Sequence, residues 1–114
     1  MIFVSGQVPK DKRGRIVGVD SNDRLGNPID LAAQVRQILM NVKAVVEDAG
    51  GSLDDIVRLD TYVAVSAMNE YKKIGRKVVT HVLGRARPPR ATVFVAGLMA
   101  SDALVEISAI AAVD

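Results

Sequence analysis

The chain has 114 residues, 49% hydrophobic and 25% charged, with a formal charge of +2, no cysteine and one histidine, His81. That length suits one domain, 1–114, with a core of its own, and the composition excludes a disordered or fibrous chain. Without cysteine there are no disulfides or thiolate metal sites; one histidine rules out a multi-histidine metal site within one chain, and four aromatics (Phe3, Tyr62, Tyr71, Phe94) supply little for stacking nucleic-acid bases.

The opening MIFVSGQVPKDK has an apolar run too short for a signal-peptide core. ATVFVAGLMA is about half of what a membrane-spanning helix needs, so a cytoplasmic protein without membrane contact is expected. In chain order, IFVSGQV at 2–8 alternates as a strand does. Pro9 and the charged DKRGR segment mark a turn around Gly14, with RIVGV at 15–19 as a returning hairpin strand. SNDRLGNP reads as a loop, and Asn27-Pro28 as the opening of a helix. Leu31, Val35, Ile38, Leu39, Val42, Val45, Val46 and Ala49 then recur at helical spacing, and Gly50-Gly51 ends that helix.

Asp54-Asp55 caps the turn into a β-branched strand over 56–65, with Val57, Leu59, Thr61, Val63 and Val65 on one face and Arg58, Asp60 and Tyr62 on the other. Ser66 is placed to cap a second helix, whose stripe is Met68, Tyr71, Ile74, Val78, Val79 and Val82 and whose stop is Gly84. Strands over 91–98 and 104–113 follow. The order β(β)-α-β-α-β-β, with one apolar stripe per helix, predicts a two-layer α/β sandwich with helices on one sheet face. The other face is left uncovered, which predicts association through the sheet.

Three places carry candidate chemistry. Arg90, in RARPPRATVFV at 85–95, is a permanent cation set against the start of an apolar strand. Its planar fork suits a carboxylate held by two parallel hydrogen bonds; the alternative is a solvated loop arginine. Glu106 is the sole charge in LVEISAIAAV. Apolar neighbours disfavour its charged form, which suits it to shuttling a proton; the alternative is a salt-bridged or rim-exposed glutamate. Ser5-Gly6-Gln7 puts a glycine inside a strand, which marks either the close approach of a ligand or a bulge without chemistry. Lys72, Lys73, Arg76 and Lys77 make a basic helix face, read as solvated before it is read as nucleic-acid binding.

FVSGQVP at 3–9, AVVEDAGGSLDDIVRLDTYV at 44–63, PPRATVFVAGL at 88–98 and LVEISAIAAV at 104–113 together resemble the RidA/YjgF family, the reactive intermediate deaminases also known as endoribonuclease L-PSP. The resemblance runs in order along nearly the whole chain. It implies a chorismate-mutase-like α+β sandwich assembled as a homotrimer, sheets inward, with sites in the clefts between subunits. It further implies that Arg90 binds the substrate carboxylate, that Glu106 positions the attacking water, that the Thr92 backbone contacts substrate, and that Ser5 and Gly6 line the cleft. The implied reaction is hydrolysis of a 2-imino acid to a 2-keto acid and ammonia, with no cofactor and no metal. A non-catalytic carboxylate-binding relative is the runner-up and an endoribonuclease the third reading; few aromatics and a charge of +2 argue against nucleic acid.

The family usually carries a segment before the F-V-S-G-Q strand, an asparagine near Gly75 and L-P where this chain has Leu98-Met99, so a more open cleft is expected. In a plain hairpin of the last two strands, Arg90 and Glu106 would be offset by about five residues, or ~16 Å. They are therefore expected to meet across a subunit boundary or through a strand order that is not hairpin-like.

Overall fold

The computed structural model describes residues 1–19 and 29–114. Its elements run β1 (Ile2–Gln7), α1 (Leu31–Asp48), β2 (Ile56–Ala64), a continuous second helix, β3 (Arg90–Val95) and β4 (Val105–Ala111). The second helix has three parts: α2 (Met68–Glu70), a π-helical stretch over Tyr71–Gly75, and α3 (Arg76–Leu83). The strands form one sheet in the order β1-β4-β2-β3. β4 is antiparallel to both β1 and β2, and β3 runs parallel to β2 at the sheet edge. A parallel pair needs a crossover, which the second helix supplies.

One sheet face carries both helices, and the core lies between the layers. Leu31, Val35, Ile38, Leu39, Val42 and Val46 of α1 are buried against Leu59 and Val63 of β2 and Val105, Ile107 and Ala109 of β4. Burial alternates strictly along β4, so Glu106, Ser108 and Ile110 point to the helix-free side. Among the described residues Gln34 and Thr61 are the buried polar ones, and Gln34 is completely enclosed. Its side-chain amide donates to the Val17 and Asp102 carbonyls at 3.1 and 2.8 Å, and its oxygen accepts from the Leu104 amide at 2.8 Å. A buried amide costs free energy unless it is fully bonded, and here it ties α1 to the segment after β1 and to the loop just before β4.

Local structure departs from the sequence pattern at four points. RIVGV forms no second strand; Lys10 and Ile16 make one isolated bridge around a turn. In that turn the Asp11 carboxylate accepts from the Arg15 and Arg13 amides at 3.0 and 2.9 Å, which holds its pKa below the ordinary value, the Arg15 bond acting most strongly. Asp11 therefore favours the turn above the usual carboxylate range, and that help is lost as pH falls through its lowered value.

Asn27 and Pro28 lie outside the described residues, and α1 opens at Leu31, with Asp30 accepting from the Ala33 amide at 3.0 Å. Ser66 does not cap the second helix: it lies in a 3-10 turn over Val65–Ala67, and α2 starts after Ala67 with no side-chain cap. A register shift between Ile56 and Arg58 buries Ile56 and leaves Val57 exposed, while Val65 lies beyond the strand end. The turn ahead of β2 is capped by Ser52 and Asp55 in a reciprocal pair; of the expected pair Asp54-Asp55, Asp54 takes part only through its backbone amide, which donates to Ser52 Oγ at 3.2 Å. None of the described helices is long and apolar enough to cross a membrane.

Candidate active site

β3 begins where the proline-rich loop ends. The Pro89 carbonyl accepts from the Leu59 amide at 3.0 Å, so the strand joins β2 at once and Arg90 stands at its mouth. Arg90 pairs with Leu59, Thr92 with Thr61 and Phe94 with Val63, and those β2 residues are buried under the helices. The three β3 side chains thus share the helix-bearing side. Arg90 is exposed, and its Nη2 lies 3.4 Å from Thr80 Oγ1 of α3. It faces two adjoining concavities.

The larger, about 560 Å³, is lined by Lys72, Arg76, Lys77, Thr80, His81 and Arg90. The smaller, about 290 Å³, adds an apolar wall of Tyr71, Val79 and Phe94 together with Thr92. Tyr71 meets Phe94 edge-on, with centroids 6.5 Å apart, and the Lys72 ammonium sits 5.6 Å over the Phe94 ring. Among the described residues, no carboxylate lines either space. The groove is therefore a positive concavity beside an apolar wall, a chemistry suited to an organic anion.

Glu106 belongs to a different part of the surface. It is half-buried on the helix-free face, paired with Tyr62 in β2. Its neighbour is the irregular part of β1, where the register shifts between Val4 and Gln7. There Gly6 lies directly against the Glu106 carboxyl group: a Cβ at position 6 would stand 3.0 Å from Cδ and 3.1 Å from Oε2. Ser5 is exposed beside it, and its carbonyl accepts from the Gln7 side chain at 3.1 Å.

The proposed residues thus fall into two groups, Arg90 with Thr92 and Glu106 with Gly6 and Ser5. The strand order is indeed not a hairpin, because β2 separates β3 from β4, yet it does not unite the groups. Three residues of offset at about 3.3 Å and two strand spacings of about 4.8 Å put the Arg90 and Glu106 Cα atoms about 14 Å apart. Their side chains also leave opposite faces of the sheet. Within one chain they do not share a small ligand.

A family model described as endoribonuclease L-PSP matches residues 1–113. The chain belongs to this family, the RidA/YjgF proteins. A RutC family protein of Pyrococcus horikoshii is 38% identical over 111 residues, covering 96% of this chain and 77% of the relative. The 3-aminoacrylate deaminase RutC of Acinetobacter baylyi is 33% identical over 111 residues, covering 97% of this chain and 78% of the enzyme. The family thus includes deaminases. A crystal structure of a Rid-family protein from Yersinia pestis superposes with a TM-score of 0.80 at 29% identity, covering 98% of this chain and 77% of that one. The α+β architecture described above is the RidA/YjgF fold.

Three features of the site escaped the reading of the sequence. Lys72 and Arg76 line the Arg90 groove rather than a featureless solvated face, and Thr80 meets the guanidinium itself. Their four-residue spacing was the available signal. The edge-to-face contact of Tyr71 with Phe94 had none, because it joins a helix to a strand distant in sequence.

Proposed function

We propose that the chain is an enamine/imine deaminase that hydrolyses 2-imino acids to 2-keto acids and ammonia. Arg90 holds the substrate carboxylate, the Thr92 backbone borders it, and Glu106 of an adjacent copy faces the imine carbon across a cleft lined by Ser5 and Gly6. The copies associate as a trimer through the helix-free sheet face. One water adds its oxygen to the imine carbon as Glu106 takes a proton from it. The C=N bond becomes a C–N single bond as the nitrogen takes that proton back from Glu106; the new hydroxyl then passes its proton to the nitrogen, and the C–N bond breaks to release ammonia and leave the ketone. An imine carbon is already electrophilic, so orientation, one placed water and proton transfer are what the protein must supply.

The observation that carries this reading is the division of the site: an anion-binding half and a carboxylate half on opposite faces of one sheet. Two such halves complement each other when identical copies pack in a ring. Family membership and the deaminase name of the A. baylyi relative support the reaction class. If copies do not pack, the same halves favour the second reading, a carboxylate-binding protein without turnover.

Generating 2-iminopropanoate with an amino-acid oxidase and following its disappearance tests the proposal. The wild type should accelerate hydrolysis, and Arg90→Ala should lose about 100-fold or more, as removal of two charged hydrogen bonds implies. Equal rates for both proteins, at the uncatalysed level, would overturn the enzyme reading.

A further inference from the structure

We propose that the cationic groove along α3 is a second anion subsite, so that the preferred ligand of the Arg90 site carries two acidic groups. The inference rests on reading Arg90 as a carboxylate anchor. Lys72, Arg76 and Thr80 recur every fourth residue, and Lys77 and His81 form the adjacent row; both rows line the groove. The Arg90 guanidinium stands at the Thr80 end. Arg76 lies one helical turn back, with Cβ atoms four residues apart on a helix about 5–6 Å from each other. The groove thus offers a planar fork and, a short distance away, a group of further cations.

Three observations make this more than a solvated basic face. Among the described residues, no carboxylate lines the groove, and the ion pairs, Lys43–Glu47 and Arg58–Asp60, use none of its cations. Like charges at four-residue spacing repel one another, and an entering anion relieves that repulsion. Secondly, the Lys72 ammonium is held over the Phe94 ring, at the wall of the site. Thirdly, the space is of a size that encloses a whole organic ligand, about 560 Å³ beside a further 290 Å³.

The ligand class that fits is a short-chain organic acid with a second carboxylate or phosphate. Under the proposed reaction, the substrate is a 2-imino acid bearing that second anionic group. Nucleic acid fits less well. Lys72 covers a face of Phe94 and Tyr71 meets that ring edge-on, which leaves no aromatic platform here for a base.

Calorimetric titration of the full chain with 2-oxobutanoate, 2-oxoglutarate and 3-phosphoglycerate tests the subsite without turnover. At least one of the two ligands with a second acidic group should bind about 10-fold tighter than the monocarboxylate at low salt, and their order identifies the second group. The advantage should shrink as salt is added. The variant Lys72→Gln/Arg76→Gln/Lys77→Gln should lose the advantage, its affinities for 2-oxobutanoate and for the ligands with a second acidic group becoming equal. Removing the same charge at Lys12, Arg13 and Lys43 should leave the advantage in place, and circular dichroism checks that both variants fold. Equal wild-type affinities for one and two acidic groups overturn the subsite, as does a preference that survives the triple substitution. So does a wild type that binds a single-stranded RNA oligomer and none of the acids. A preference for a second acidic group without imine hydrolysis supports the subsite and defeats the deaminase reading; hydrolysis without the preference does the reverse.

Discussion

At the scale of single residues, Gly6 is the position where a small change should report most directly on chemistry. Glycine inside a strand normally weakens it, and replacement by alanine elsewhere would gain roughly 0.5–1 kcal/mol. Here a Cβ would stand 3.0 Å from Glu106 Cδ. The atom it meets is the far end of a flexible side chain, so the carboxylate swings aside rather than the strand breaking. Gly6→Ala should therefore keep its melting temperature while the rate of 2-iminopropanoate hydrolysis falls about 10–100-fold, the usual cost of a misplaced catalytic group. Glu106→Gln should lose activity with the glycine intact. Wild-type turnover in Gly6→Ala would show that the reaction does not depend on where this carboxylate stands.

Among the elements, the π-helical stretch over Tyr71–Gly75 shapes the groove. Tyr71 is buried, its ring lies over Gly75, and a Cβ at position 75 would collide with that ring. Glycine to alanine inside a helix ordinarily stabilises by roughly 1 kcal/mol. Overpacking reverses the sign, so Gly75→Ala should destabilise by about 1–3 kcal/mol in urea unfolding, and a second change, Tyr71→Leu, should recover part of that loss. A stabilised Gly75→Ala protein would mean that the ring is free to move.

The same stretch illustrates what the sequence makes legible. The α1 stripe from Leu31 to Val46 and the alternation along β4 are written locally, at periods near four and two, and both appear in the structure. The Tyr71–Gly75 exchange depends on a ring seated by Phe94, and the order β1-β4-β2-β3 depends on pairings between distant segments; neither leaves a local trace. Val57 shows the same limit, since one register shift moves it off the face that alternation assigned. Arg90 was identifiable as a cation set against the start of an apolar strand, and Glu106 as the sole charge in one. Their separation onto opposite faces was not, because it follows from register across three strands.

For the whole molecule, that separation means that under the proposed reaction activity belongs to an assembly. The helix-free face carries Phe3, 73% exposed, and Val93, 48% exposed, beside the Arg58–Asp60 ion pair and Glu106. It is thus a mixed surface rather than the plainly apolar one that the strand composition suggests. Exposed apolar groups rimmed by charge favour a specific interface. On the proposed reading, each cleft takes Arg90 from one copy and Glu106 from the next. Arg90→Ala and Glu106→Gln proteins should each be inactive alone. When equal amounts are unfolded together and reassembled, half of the clefts have a wild-type Arg90 donor and, independently, half have a wild-type Glu106 donor. About a quarter of the wild-type rate should then return if neighbouring copies share each site. Native mass spectrometry reports whether mixed assemblies have formed. If they form and no activity returns, no cleft draws Arg90 from one copy and Glu106 from another, and the shared-site reading falls.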